Sequence, residues 1–136
     1  MRRTLALLAA AIALPALAAE PVKMSAGLSA AAEVPGPGKG SGSADLTFDA
    51  DKGTVCYMLM AQGSDTPTMA HIHKGIVGVA GGVVVPLKAP ETGTVHACAP
   101  VAPDLMAAIL ATPSDYYVNI HTAALPKGTM RGQLGK

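Results

Sequence analysis

Aromatic side chains are nearly missing from this chain, which has no tryptophan, one phenylalanine and three tyrosines in 136 residues. Platforms that stack single-stranded nucleic acid or sugars need such rings, so both functions lose their usual means. A core without them has to be assembled from alanine, valine, leucine and methionine through many small contacts. Charge is also scarce. Charged residues make up 14% of the chain and the formal net charge is +1, which offers no electrostatic footprint for nucleic acid or acidic lipid. Cysteine occurs only at Cys56 and Cys98, and the lack of any Cys-x-x-Cys spacing argues against a redox pair or thiolate metal ligands.

Long apolar runs are missing too, except at the N-terminus. Arg2 and Arg3 are followed by an apolar run from Leu5 to Leu14, then Pro15 and Ala16-Leu17-Ala18-Ala19 before the first acid, Glu20. A basic start, a short apolar middle and a small-residue end are the marks of a secretory signal peptide, cleaved after Ala18 or Ala19. The run is too short for a bilayer, which takes about 20 residues; a twin-arginine route is the alternative reading of Arg2-Arg3. The expected organisation is a signal peptide over 1–19 and one domain over 20–136. No membrane span remains after cleavage, and the mature chain keeps eight basic residues against nine acids.

Export to the periplasm or beyond places both thiols in an oxidising compartment, where a single Cys56–Cys98 disulfide is the natural outcome. Each cysteine lies in an alternating apolar segment, so the bridge should tie two strands. The loop it closes is about 43 residues long and is worth about 2–4 kcal/mol.

The mature chain alternates in short extended segments. Val22, Met24, Ala26 and Leu28 recur at even positions, and Ala44, Leu46 and Phe48 do the same before the turn Asp49–Gly53. In Thr54–Met60 both faces are apolar, which predicts a central strand covered on both sides. Thr68–His73, Val83–Leu87, Thr92–Ala99, Ser114–His121 and Thr129–Leu134 complete the strands, the last two joined by Pro126-Lys127-Gly128. Pro103–Ala111 breaks the rhythm with Leu105, Met106, Ile109 and Leu110 at helical spacing behind Pro103 and Asp104. The glycine-rich segment Gly36–Gly42 lacks the Lys-Ser/Thr ending of a phosphate loop, and Asp49 and Asp51 lack the further oxygen ligands of a calcium site. About eight strands and one short helix predict an all-β fold, an antiparallel β-sandwich or flattened Greek-key barrel.

The residues that carry chemistry are histidines. On a strand His71 and His73 project to one face while Ile72 enters the other. Val118 and Ile120 likewise oppose Tyr117, Asn119 and His121, so neighbouring strands would bring three imidazoles together. Imidazole is the commonest protein ligand for zinc and copper, and the thioether of Met69 favours copper. The competing reading has His71 and His73 bonded to carbonyls of the Gly75–Gly82 loop or to Glu33, with Asn119 and His121 pinning the Pro126 hairpin. His96 shares a face with Cys98 and reads as a strand-surface residue. Arg131 reads as an ion-pair partner of Glu33, with an anion guide as the second reading. Of the methionines, Met58, Met60 and Met106 fall in core-like patterns, and Met24, Met69 and Met130 remain as candidate copper ligands.

Glu33-Val34-Pro35, Ala70-His71-Ile72-His73-Lys74-Gly75, Tyr117-Val118-Asn119-Ile120-His121-Thr122 and Leu125-Pro126-Lys127-Gly128-Thr129-Met130-Arg131-Gly132-Gln133-Leu134, in that order, resemble the CHRD domain. This module is named for chordin and also occurs alone in secreted bacterial proteins. The resemblance implies a secreted all-β domain that binds an unknown protein or extracellular ligand, and it implies no reaction. His71, His73, His121 and, loosely, Arg131 also resemble the copper site of copper/zinc superoxide dismutases. The expected function is thus a periplasmic or secreted binding or structural protein with copper or zinc on three histidines, and the alternative is a copper-dependent dismutase-like enzyme.

Overall fold

The computed structural model describes residues 18–136, so the leader expected over 1–19 lies, but for its last two residues, outside the described part. Eight strands run in the order β1 (Val22–Ser29), β2 (Ser41–Asp49), β3 (Thr54–Gln62), β4 (Pro67–Lys74), β5 (Val83–Leu87), β6 (Thr94–Pro100), β7 (Tyr116–Thr122) and β8 (Met130–Gln133). Helix α1 (Pro103–Ala111) sits between β6 and β7. It starts with proline in its first turn beside Asp104, as a helix N-terminus prefers, and it feeds Met106 and Ile109 into the core.

The strands form one sheet in the order β5-β4-β7-β8-β1-β2-β3-β6, with every neighbour antiparallel. The two outermost strands, β5 and β6, approach each other, so the sheet is a nearly closed, flattened barrel. Among the described residues no helix is long and apolar enough to cross a membrane.

Alternation decides the barrel interior. Met24, Ala26 and Leu28 of β1, Ala44, Leu46 and Phe48 of β2, and Val55, Tyr57 and Leu59 of β3 all point inward. Ile72, Val118 and Ile120 are fully buried, and together they contribute roughly 5–9 kcal/mol toward holding β4 and β7 in this parity. A slip of one residue in either strand would expel them. At Gly132 of β8 a Cβ would run into the Gly27 carbonyl, so only glycine allows β8 to come this close to β1.

Two expectations are corrected. The apolar second face of β3 points to solvent: Cys56 is exposed and Met60 is 45% exposed. The strand covered on both faces is β7, every residue of which is buried. The polar Asn119 and His121 disguised this, because loops and not a second sheet cover their side. Among the methionines, Met24 and Met130 belong to the core and leave the set of candidate copper ligands.

Cys56 and Cys98 are direct cross-strand partners of β3 and β6, joined by a disulfide with the Cα atoms 3.9 Å apart. His96 stands beside them on the exposed face of β6, opposite Met58.

Candidate metal centre

β4 and β7 are neighbours, so the parity of each strand puts His71, His73 and His121 on the same outward face. That face is roofed by the Gly75–Gly82 loop, the Pro126 hairpin and the segment after Glu33. His73 and His121 are buried under it, and His71 is partly open. The ring centroids of His71 lie 5.4 Å from those of His73 and 4.9 Å from those of His121.

Hydrogen bonds fix the tautomers. A carbonyl only accepts, so His73 Nδ1–H must donate to Gly81 O at 2.9 Å and His121 Nδ1–H to Pro126 O at 3.0 Å. Each neutral ring then carries its lone pair on Nε2. His73 Nε2 is buried without a partner. His121 Nε2 accepts a hydrogen bond from His71 Nδ1–H, 3.0 Å away. For His73 the two readings are therefore compatible, since the roof uses Nδ1 and leaves Nε2 without a partner; His121 Nε2 becomes available only when its bond from His71 is released, and His71 bonds His121 instead of a roof carbonyl. A Cβ at Gly81 would run into the Lys74 carbonyl, so glycine is needed where the roof meets His73.

One nitrogen from each ring lies within 4.8 Å of the other two, and among the described residues only this group gathers potential metal ligands. Nitrogens bound at 2.0–2.1 Å to one tetrahedral ion are about 3.4 Å apart, so a pair at 4.8 Å has to close by about 1.4 Å. Nδ1–H donation to a carbonyl is the usual outer support of a metal-binding imidazole, and two of the three rings have it.

The electrostatics keep the rings neutral. Burial, reinforced by the neighbouring His121 and His73, pushes the pKa of His71 down from 6.5 to about 4. Burial also lowers His73 and His121, with partial relief from the bonds to Gly81 and Pro126 and from the Glu33 carboxylate. Neutral imidazole is the form that binds metal.

Behind the rings lies a buried ionic network. Arg131 donates to Glu33 Oε1 through Nε at 2.7 Å, with Nη2 in ion-pair contact 2.6 Å from the same oxygen, and to the carbonyls of Val79 and Val34 through Nη1 and Nη2. Asn119, which is paired in register with both His71 and Arg131, donates its amide to Glu33 Oε2 at 2.6 Å and to Met130 O at 3.0 Å. Tyr117 connects the network to the histidines. Its ring stacks on His73 at 4.9 Å, the Arg131 guanidinium lies 4.2 Å over that ring, and its hydroxyl accepts from Gly81 N.

The ion pair read from the sequence is thus present, and Arg131, 3% exposed, offers no open face to an anion. Asn119, Tyr117 and the Gly81, Val79 and Pro126 carbonyls were not singled out as one support. The parity of β7 was the signal that placed Tyr117 and Asn119 beside His121; the carbonyl partners belong to loops and leave no residue-type signal.

A groove of about 710 Å³ lies apart from the histidines, lined by Lys23, Asp45, Thr47, Met58 and His96 among others, and it brings no set of ligands together. Neither a curated protein nor a solved structure matches this chain. The family model of the CHRD domain matches residues 24–134, a span that reaches every strand of the barrel and takes in Glu33, Arg131 and the three histidines. The chain belongs to the CHRD domain family.

Proposed function

We propose that this protein is an exported CHRD-domain binding protein whose specific ligand is a transition-metal ion, copper or zinc, held by His71, His73 and His121. The observation that carries this reading is the buried, unpartnered Nε2 of His73, in a cluster where one nitrogen of each of the three rings lies within 4.8 Å of the other two. An orphaned buried acceptor costs about 1–3 kcal/mol. A metal ion relieves that cost while leaving the Nδ1–H bonds of His73 and His121 in place. Export to the periplasm or beyond is supported by the basic and apolar start of the chain and by the Cys56–Cys98 disulfide.

The rival, a copper-dependent superoxide dismutase-like enzyme, needs a cation free to draw in the anion. Arg131 is committed to Glu33 and two carbonyls, so binding without turnover has the better support. Dialysis against limiting Cu(II) or Zn(II), followed by metal analysis, tests the reading. One ion per chain is expected, falling to near zero in His73→Ala and His121→Ala variants that still fold. Metal-free wild-type protein after dialysis contradicts it, and rapid superoxide removal by the copper-loaded form reverses the order of the two readings.

A further inference from the structure

Three histidines leave a fourth position open, and one side chain is placed to fill it. Met69 is on β4 two residues before His71, and it pairs across the ladder with His121. It therefore shares the outward face with all three imidazoles. Residues so paired hold their Cβ atoms about 4.5–5.5 Å apart, which puts a thioether within reach of the edge of the His121 ring. Core packing does not account for Met69. It is 44% exposed, whereas Met24, Met106 and Met130 are buried at 4% or less; Met60 is as exposed at 45% but lies on β3, and only Met69 shares a face with the histidines. The ladder also shifts register between Pro67 and Met69, the kind of irregularity that re-aims a side chain.

The same inventory sets the charge of the ion. Coordinating imidazole and thioether are both neutral. The carboxylate nearest in effect, Glu33, is taken up by Arg131 and Asn119, and among the described residues no cysteine is free. Nothing in the ligand set cancels charge on a bound cation. Desolvation cost grows with the square of that charge, so a divalent ion costs about four times as much as a monovalent one to strip of water here. Nitrogen and thioether donors without carboxylate are also the soft set that suits monovalent copper.

We infer that Met69 is the fourth ligand of the histidine site and that the ion the site selects is monovalent and soft, namely Cu(I). This rests on the metal-site reading above and extends it to the identity of the ion. The ion arrives as Cu(I) and displaces the His71–His121 hydrogen bond: His121 turns its Nε2 lone pair to the ion, and His71 binds through its unprotonated Nε2, or through Nδ1 once water has carried that proton to Nε2, so each ring stays neutral and no oxidation of the chain is involved. Exposure of Met69 at the open side of the cluster makes it the first ligand an incoming ion meets.

Wild-type protein and Met69→Leu are titrated with Cu(I) against bicinchoninate, anaerobically under ascorbate, which spares the disulfide. Both proteins are titrated with Zn(II) in parallel. Met69 is exposed, so the variant should melt within about 2 °C of wild type. The inference predicts that Met69→Leu weakens Cu(I) binding by about tenfold or more while changing Zn(II) binding by less than about twofold. It also predicts sulfur among the copper ligands by X-ray absorption in the wild type only. Equal loss for both ions, or no loss, overturns the role of Met69 and leaves the histidine site standing. Failure of wild-type protein to bind either ion overturns both.

Discussion

Glu33 is the residue whose removal should damage this fold most for its size. Its carboxylate and the Arg131 guanidinium are 3% and 4% exposed as side chains, 2.6 Å apart. Glu33→Ala leaves that guanidinium buried against Tyr117 with only the Val79 and Val34 carbonyls. Breaking one side of a buried pair costs about 3–5 kcal/mol, because the remaining charge is uncompensated. At about 4 °C per kcal/mol for a domain of this size, the melting temperature should fall by roughly 12–20 °C. Urea denaturation of the disulfide-intact protein gives the free energy directly. The double variant Glu33→Leu/Arg131→Met removes both charges, and its loss should be smaller than the sum of the Glu33→Leu and Arg131→Met losses by about 2 kcal/mol or more. A Glu33→Ala loss under about 1 kcal/mol, or additive losses, would show that the pair does not hold the segment after β1 against β8 as argued.

Acid should weaken the metal-free protein above the range of its carboxylates. The unfolded chain takes up protons at histidine near pH 6.5, whereas folded His71 does so only near 4 and His73 and His121 are also lowered. Their contribution is complete above 6.5 and is lost as the pH falls toward 4, so urea midpoints measured with chelator present should drop between pH 7 and 5; a flat profile would contradict the burial of the rings. Replacing both cysteines by alanine should cost about 4 kcal/mol from the 42-residue separation they close, with no cavity term because both are exposed; calorimetry showing a change under about 1 kcal/mol would refute this. Gly81→Ala should push the roof away from Lys74 and slacken the bond from His73 Nδ1, weakening metal binding by about tenfold or more; isothermal titration reads it, and unchanged affinity would mean that the Gly81 carbonyl does not hold the ring.

Much of the barrel and the histidine cluster was legible because both follow from period-two alternation. Ile72, Val118 and Ile120 are unambiguous core residues, and once they point inward the parity of His71, His73 and His121 is settled. The Glu33–Arg131 pair was legible as a tie between the segment after the first strand and the last strand, and the two side chains are ion-paired there. β3 misled because methionine and cysteine read as core residues wherever they stand, although on the outer face of β3 the disulfide and Met60 are exposed and Met58 is only half-buried. β7 misled in the opposite sense. Asn119 and His121 look like solvent-facing residues, and the groups that cover them are loop carbonyls and a distant carboxylate. Such partners come from backbone geometry, which side-chain identity does not encode.

Long-range proton–nitrogen NMR of the imidazoles, recorded before and after one equivalent of Zn(II) or Ag(I), tests the central claim most directly. The account predicts that His73 and His121 keep a protonated Nδ1 throughout and that their Nε2 resonances move to metal-bound positions together with one nitrogen of His71. Imidazole spectra that stay unchanged on adding either ion, or rings that bind through Nδ1 after releasing Gly81 and Pro126, would contradict it.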